Sequence, residues 1–177
     1  MNNENDINHT TEKLREVQAE FVNPFLSAVG YALKTMGRAS ANKGMIALER
    51  ANTFRGDAQI LLRVDGTIKG FVILEMPEML ARKFVSLFLF GLPIKELDAM
   101  ARNSLEEFSI RISEMARRQL IDRGYLASVS SFVNFKKPLH FSGDKQFIVV
   151  PIDTEHGDFK VFFNVMKAEL MEQTAAN

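Results

Sequence analysis

The chain has 177 residues, of which 46% are hydrophobic and fifteen are phenylalanine, enough to bury the core of one domain. Its 22 basic and 22 acidic residues cancel, which excludes a generally basic surface of the kind that binds nucleic acid or an anionic membrane. The lack of cysteine excludes disulfides, thiol nucleophiles and cysteine-ligated zinc.

The N-terminal sequence is polar and lacks both the basic start and the apolar stretch of a signal peptide. No run approaches the roughly 20 apolar residues that a membrane-spanning helix needs. We therefore expect a cytoplasmic protein without membrane insertion. Residues 1–9 are asparagine-rich and are predicted to form a disordered tail, residues 10–170 a single domain, and residues 171–177 a C-terminal tail.

Helix and strand signals alternate in blocks along this domain. Thr10 or Thr11 suits the cap of a first helix. A sharper helix is predicted from Asn23-Pro24 to Gly37, because proline suits a first helical turn and glycine ends a helix. Three apolar strands follow, at residues 45–51, 59–64 and 68–76. Asp65-Gly66 between the last two predicts an antiparallel hairpin.

The second half of the chain begins with another helix and ends in strands. That helix is predicted over residues 77–91, and Phe84, Phe88 and Phe90 are predicted to be core residues. Its predicted buried side consists of Met79, Leu80, Phe84, Leu87 and Phe88. Three further strands are predicted near the end of the chain, at residues 125–135, 145–153 and 159–170. Pro151 cannot donate to a strand ladder, so we expect it at a strand end, an edge or a bulge.

Residues 97–123 have the clearest helical periodicity in the chain. At about 100° per residue, one broad stripe is apolar and is predicted to face the core. That stripe consists of Leu97, Met100, Ala101, Leu105, Phe108, Ile112, Met115, Ala116 and Leu120. The opposite side carries Asn103, Glu107, Glu114 and Arg117, with Ile110 among them. Single apolar residues on a surface are ordinary, and the alternative is that this side meets a partner.

The element order is helix, three strands, two helices and three strands, with short connections that favour antiparallel pairing. Helices must then cover one face of the sheet. We predict an α+β fold, a two-layer α/β sandwich in which long helices pack on one face of a mainly antiparallel six-stranded sheet.

The motifs of most enzyme classes are missing from the sequence. There is no GxxxxGKS/T loop, GxGxxG turn, GxSxG elbow or HExxH helix. The three histidines have no metal-ligand spacing. Glu106 and Glu107 are adjacent and point about 100° apart, which suits paired-carboxylate catalysis poorly. Neither a metal nor a cofactor is predicted.

In layout, the chain resembles the CheC/CheX family of bacterial chemotaxis phosphatases, and the CheX branch most closely. The resemblance covers roughly residues 20 to 170 and depends on element order and short matches. Those matches are Val22-Asn23-Pro24-Phe25-Leu26, Ile68-Lys69-Gly70, Phe90-Gly91, Lys95-Glu96-Leu97-Asp98 and Gly124-Tyr125. The resemblance implies a CheX-like fold and a partner of the CheY type, a response-regulator receiver domain.

In that family the long helix carries Glu-x-x-Asn. The glutamate contacts a lysine of the phosphorylated receiver, and the asparagine amide orients the water that attacks the aspartyl phosphate. An in-line displacement needs such a positioned water, which an amide can hold as donor and acceptor together. Ungapped alignment back from Gly124-Tyr125 places Glu107 on the glutamate and Ile110 on the asparagine. Isoleucine cannot hold water, and losing a positioned polar group costs on the order of a hundredfold in rate.

Other registers of this motif remain open. A slip of one residue pairs Glu106 with Ser109, whose hydroxyl can in principle hold water. Glu-x-x-Asn itself occurs at residues 20–23 and 49–52. We expect the first to be interrupted by the helix start, because a residue before proline avoids helical geometry. The second falls at a predicted strand end, where positions three apart face opposite sides.

Three hypotheses follow from these patterns. The leading one is a CheX-like domain that binds a receiver but has weakened or lost phosphatase activity, with a contact surface of Asn103, Glu107, Ile110 and Glu114. The second is an active phosphatase in which Ser109, Asn103 or another side chain holds the water. The third is a structural homodimeric subunit of a chemotaxis or flagellar assembly, joined through the sheet edges of strands 125–135 and 159–170.

Overall fold

The computed structural model describes residues 18–168. A π-helical turn, Gln18–Val22, leads into helix α1 (Asn23–Gly37), and two further helices are α2 (Glu78–Phe88) and α3 (Ala99–Asp122). The strands are β1 (Asn42–Lys43), β2 (Ala47–Phe54), β3 (Ala58–Gly66), β4 (Ile68–Met76), β5 (Ala127–Phe135), β6 (Leu139–Thr154) and β7 (Gly157–Lys167). The predicted tails and the Thr10 or Thr11 cap lie outside the described residues.

The strands form one antiparallel sheet in the order β1-β6-β7-β4-β3-β5, and β2 pairs with the same outer edge of β6 as β1. The α+β class and the order of the main elements are therefore confirmed. The described part contains a seven-stranded sheet where six strands were predicted. The extra strand, β1, is two exposed polar residues and has no hydrophobic pattern to reveal it. Strand β6 also begins six residues earlier than predicted, at Leu139.

The main core lies between the sheet and the helices. Helix α3 packs against α1 and β5 and contributes Ala101, Leu105, Phe108, Ile112, Ala116 and Leu120, all fully buried. Burial of each large side chain among these stabilises the fold by about 1.5–3 kcal/mol. Asp98 fixes where the helix begins, because its side chain accepts a hydrogen bond from the Ala101 amide at 2.9 Å.

Four residues predicted for the core or a buried side lie elsewhere. Met79, in the first turn of α2, is 82% exposed. Leu97 precedes α3 and is only half-buried, and Met100, in the first turn of α3, is 42% exposed although its neighbour Ala101 is fully buried. Phe90 is 99% exposed. Helix α2 ends at Phe88, and Phe90 then takes a left-handed φ of 56°, which turns its ring away from the core that Phe84 and Phe88 occupy.

The face of the sheet away from the helices carries a smaller apolar cluster. Its buried members are Phe54, Ile73, Phe147, Val149 and Phe162. The rings of Phe54, Phe147 and Phe162 meet edge to face, at centroid distances of 4.9–6.2 Å. Residues 139–147 of β6 pair with β2 alone, so β2 and the first half of β6 close this second cluster.

The sheet edges differ from those expected for a homodimer. Strand β7, predicted as an edge, lies between β4 and β6, so that expectation is wrong. It is one of the most apolar strands, and burial on both faces rather than an edge position accounts for its composition. Strand β5 pairs only with β3 within residues 18–168, so a homodimer through this edge stays a prediction. Pro151 lies on β6 between the segments that pair with β1 and β2.

Two glycines should respond in opposite ways to the same substitution. Gly70 has φ 145°, and a Cβ there would lie 1.8 Å from the Asn164 carbonyl oxygen of β7. Gly70→Ala should therefore lower the free energy of unfolding by about 2–4 kcal/mol. Gly30, inside α1, has nothing within 4 Å of a Cβ added there, so Gly30→Ala should raise the free energy of unfolding by about 0.5–1 kcal/mol. Urea denaturation of both variants measures the two effects, and equal destabilisation would contradict the close approach of β4 and β7.

Candidate functional site

The outward side of α3 carries the four residues predicted as a contact surface. Asn103, Glu107, Ile110 and Glu114 are all exposed, and they follow one another at intervals of four, three and four residues. This spacing places them on one line along the helix. The line is outward because the opposite side of α3 is held in the core. The structure therefore brings the four predicted residues together on one accessible surface.

Glu107 is paired within its own helix. Arg111, one turn further on, donates from Nη2 and Nε to Glu107 Oε1 at 3.0 and 3.2 Å. Both side chains remain largely exposed, and an exposed pair of this kind contributes only about 0.3–0.5 kcal/mol. Another cation can therefore replace Arg111 at little cost. Arg111 was not predicted as part of this surface, although its i+4 spacing from a glutamate was a usable signal.

Ile110 is 49% exposed, beside a groove between α3 and β5. The groove has a volume of about 310 Å³ and is lined by Ile110, Ser113, Glu114, Arg117, Val129, Ser130 and Ser131. The β5 residues were not predicted here, because their contact with α3 is a tertiary one that no local pattern reveals. The side chain that follows Glu107 on the outward line is thus a hydrocarbon, which offers no hydrogen bond to water.

The alternative register, which pairs Glu106 with Ser109, does not give a surface site because Ser109 is buried. Ser109 is fully buried, and its hydroxyl lies 2.7 Å from the Glu106 carbonyl oxygen and 2.9 Å from the Ser131 hydroxyl. A hydroxyl engaged in this way inside the α3–β5 interface cannot orient a water molecule over the surface. Of the two registers, only the one that pairs Glu107 with Ile110 has both members exposed.

The motif at residues 20–23 lies in helical structure, contrary to the sequence-based expectation. Asn23, the residue before Pro24, is the first residue of α1, and the π-helical turn Gln18–Val22 runs directly into it. Pro24 lies in the first turn of α1, where the missing N–H of proline costs no hydrogen bond. Because a π-helix has more residues per turn, Glu20 and Asn23 diverge more than they would on an α-helix. Glu20 also lies 3.9 Å from Lys167, away from the outward line of α3.

Tyr125 completes the surroundings of Glu20. Burial raises the pKa of Tyr125, and a hydrogen bond to Glu20 raises it further, while Lys167 acts in the opposite direction. The motif at residues 49–52 lies on β2, as expected, and Glu49 lies 3.5 Å from Lys160. Neither Glu-x-x-Asn copy therefore adds a second site next to α3.

Groups that would indicate metal chemistry are absent from residues 18–168, where no three histidine, aspartate or glutamate side chains gather to hold an ion. Within the same range, none of the helices has the length and hydropathy needed to cross a membrane.

Stability measurements should separate the exposed register from the buried one. Glu107→Ala and Ile110→Asn each change only exposed atoms, so each should move the free energy of unfolding by about 0.5 kcal/mol or less. Ser109→Asn inserts a larger polar group into the α3–β5 interface and should cost about 1–3 kcal/mol. Thermal or urea denaturation of the three variants tests this, and a neutral Ser109→Asn would mean that residue 109 is not buried.

Comparison with known proteins shows likeness in fold. No family model and no curated protein matches the sequence. The structure of the chemotaxis protein CheX from Desulfovibrio desulfuricans matches with a TM-score of 0.73 and 22% identity over 83% of this chain and 99% of that one. A CheC-like superfamily protein from Shewanella sp. PV-4 matches with a TM-score of 0.72 and 24% identity over 83% and 97%.

A third match is CheX in a CheX–CheY complex with BeF3 and Mg²⁺ from Borrelia burgdorferi. Its TM-score is 0.67 and its identity 17%, over 83% of this chain and 98% of that one. The aligned portion therefore spans nearly the whole of each of these three chains. The protein has the fold of the CheC/CheX-like chemotaxis proteins, as its resemblance to that family predicted.

Proposed function

We propose that the chain is a CheX-like signalling domain that binds a CheY-type receiver domain through the outward side of α3 and does not dephosphorylate it. The observation that carries this proposal is Ile110, half exposed one turn after an exposed glutamate. The shared fold supports it, since the Borrelia protein of this fold is seen in complex with CheY.

The chemistry of aspartyl-phosphate hydrolysis explains why Ile110 matters. A water molecule must be held in line with the phosphorus atom while the bond to the aspartate oxygen breaks. The holding group must both donate and accept hydrogen bonds, as an amide does. Ile110 does neither, and the neighbouring Ser113 hydroxyl already donates to the Ser109 carbonyl at 2.8 Å. A receiver docked here would lose its phosphoryl group no faster than it does alone.

Glu107 remains suited to a docking role. A lysine of the receiver would take the place of Arg111 beside its carboxylate, and the exchange costs little because the existing pair is exposed. Ile110 would then lie against the partner, where burying its exposed half is favourable. On this view the surface has changed from one that acts on the receiver to one that only binds it.

A second candidate function is an active phosphatase that uses Asn103. This amide is exposed and lies one turn before Glu107 on the same line, whereas Ser109 is buried. Asn103 is on the opposite side of Glu107 from Ile110, so the receiver would have to dock in a different direction along α3. The two candidates differ in whether the natural chain has activity and in which residue supplies it.

Dephosphorylation assays should separate these candidates. The natural chain should leave the decay rate of a phosphorylated CheY-type receiver unchanged, and Ile110→Asn should accelerate that decay about tenfold or more by restoring the missing amide. Adding Glu107→Ala to Ile110→Asn should remove the gain. If the natural chain already accelerates decay and Asn103→Ala abolishes the effect, the second candidate is correct.

Binding can be measured without catalysis. We expect a receiver domain activated with BeF3 and Mg²⁺ to bind the natural chain. The Glu107→Lys/Ile110→Asp variant should bind the receiver at least about tenfold more weakly, because the variant places a like charge and an unsatisfied carboxylate in the contact. Isothermal titration calorimetry gives both affinities. The exposed loop variant Lys95→Glu/Glu96→Lys, also a double charge change, is the control. Equal affinity of both variants would place the contact elsewhere.

A further inference from the structure

The outward line of α3 extends beyond the four residues already described. Continuing the alternation of four and three residues adds Arg117 and Ile121, both exposed. Positions spaced in this way form the seam along which two helices pack side by side. The line thus ends in a second exposed hydrocarbon, Ile121, which is 40% exposed and lies eleven residues after Ile110.

The charged side chains on the line between these two isoleucines, Glu114 and Arg117, have no ion-pair partner within residues 18–168. Read in sequence order, the segment is apolar, acidic, basic and apolar. Read in reverse, the segment is apolar, basic, acidic and apolar. Two antiparallel copies would therefore place apolar residues opposite apolar residues and acidic residues opposite basic ones.

From this arrangement we infer that α3 pairs with α3 of a second copy of the chain, antiparallel and two-fold symmetric. If the symmetry axis passes between residues 115 and 116, Ile110 faces the partner's Ile121 and Glu114 faces the partner's Arg117. Symmetry repeats both contacts. Two isoleucine contacts then flank two reciprocal ion pairs, as an interface between identical surfaces requires.

The surroundings of α3 leave room for this contact. Ile110 opens onto the groove of about 310 Å³, whose β5 wall includes Val129. The partner's Ile121 would enter beside Ile110 at this groove and bury apolar surface there. The interface differs from the sheet-edge homodimer, because it uses the helix layer and leaves the outer edge of β5 open.

The contact is short, and its length sets the expected strength. Eleven residues of helix span about 16 Å. An interface of this length falls below the standard size for stable complexes, so the dimer should be weak and should form only as the concentration rises. A weak dimer leaves this surface free to bind another partner as well. Ile110 and Glu114 also belong to the proposed receiver-binding surface, so on that function self-association would compete with the receiver.

The experiment uses charge exchange. Sedimentation equilibrium of the full chain, over roughly 10–500 µM, should show a reversible dimer. Glu114→Arg or Arg117→Glu should each weaken dimerisation about tenfold or more, because each places like charges opposite one another. A mixture of the two single variants should form a heterodimer at least as strong as the natural homodimer, and the double variant Glu114→Arg/Arg117→Glu should dimerise again.

Glu96→Arg and Lys95→Glu make the same two charge changes in an exposed loop away from the line and should leave dimerisation unchanged. A natural chain that stays monomeric throughout the range would overturn the inference. So would single variants that dimerise as strongly as the natural chain, the result expected of a sheet-edge dimer. Far-ultraviolet circular dichroism checks that each variant is folded.

Competition is a separate measurement. Adding the BeF3-activated receiver should reduce the dimer fraction of the natural chain if both partners share the surface. If the charge-exchange variants behave as expected but the receiver leaves the dimer intact, the pairing of the helices would be supported. Receiver binding through α3 would then be contradicted. The two failures are therefore distinguishable.

Discussion

The burial of one side of α3 against the sheet and α1 determines what the rest of the molecule can present. Phe108 and Ile112 are fully buried at the middle of this helix, and Asp98 fixes its first turn. With the inner side held by several kcal/mol of apolar burial, the helix cannot rotate by even one residue without exposing large side chains. The identity of the outward residues follows directly from that constraint.

A second consequence concerns the neighbouring serines of α3. Ser109 and Ser113 lie on the flank of the helix that contacts β5, where their hydroxyls bond to backbone carbonyls of α3, and Ser109 also bonds to Ser131. These bonds satisfy polar groups that burial would otherwise penalise. The same bonds remove the hydroxyls from any chemistry at the surface. Structural and chemical roles are thus divided between adjacent faces of one helix.

Much of this arrangement could be predicted because it depends on local periodicity. The α+β class, the antiparallel hairpin at Asp65-Gly66 and the outward position of Glu107 and Ile110 all follow from spacing along one element. What could not be predicted depends on tertiary context. Phe90 is exposed because of one left-handed residue after α2, and the β5 wall of the groove exists only once the distant strand has packed. The rule for residues before proline failed at Asn23, which is the first residue of α1, because the π-helical turn before it, invisible to residue patterns, continues directly into the helix.

The half-exposed position of Ile110 has a genetic consequence. Two of the three isoleucine codons, AUU and AUC, become asparagine codons by a change in the middle base. Since the side chain leaves the core untouched, selection for folding does not oppose this change in either direction. Where the gene uses one of these two codons, an amide lies a single mutation away at this position, and only the function of this surface decides whether it is kept.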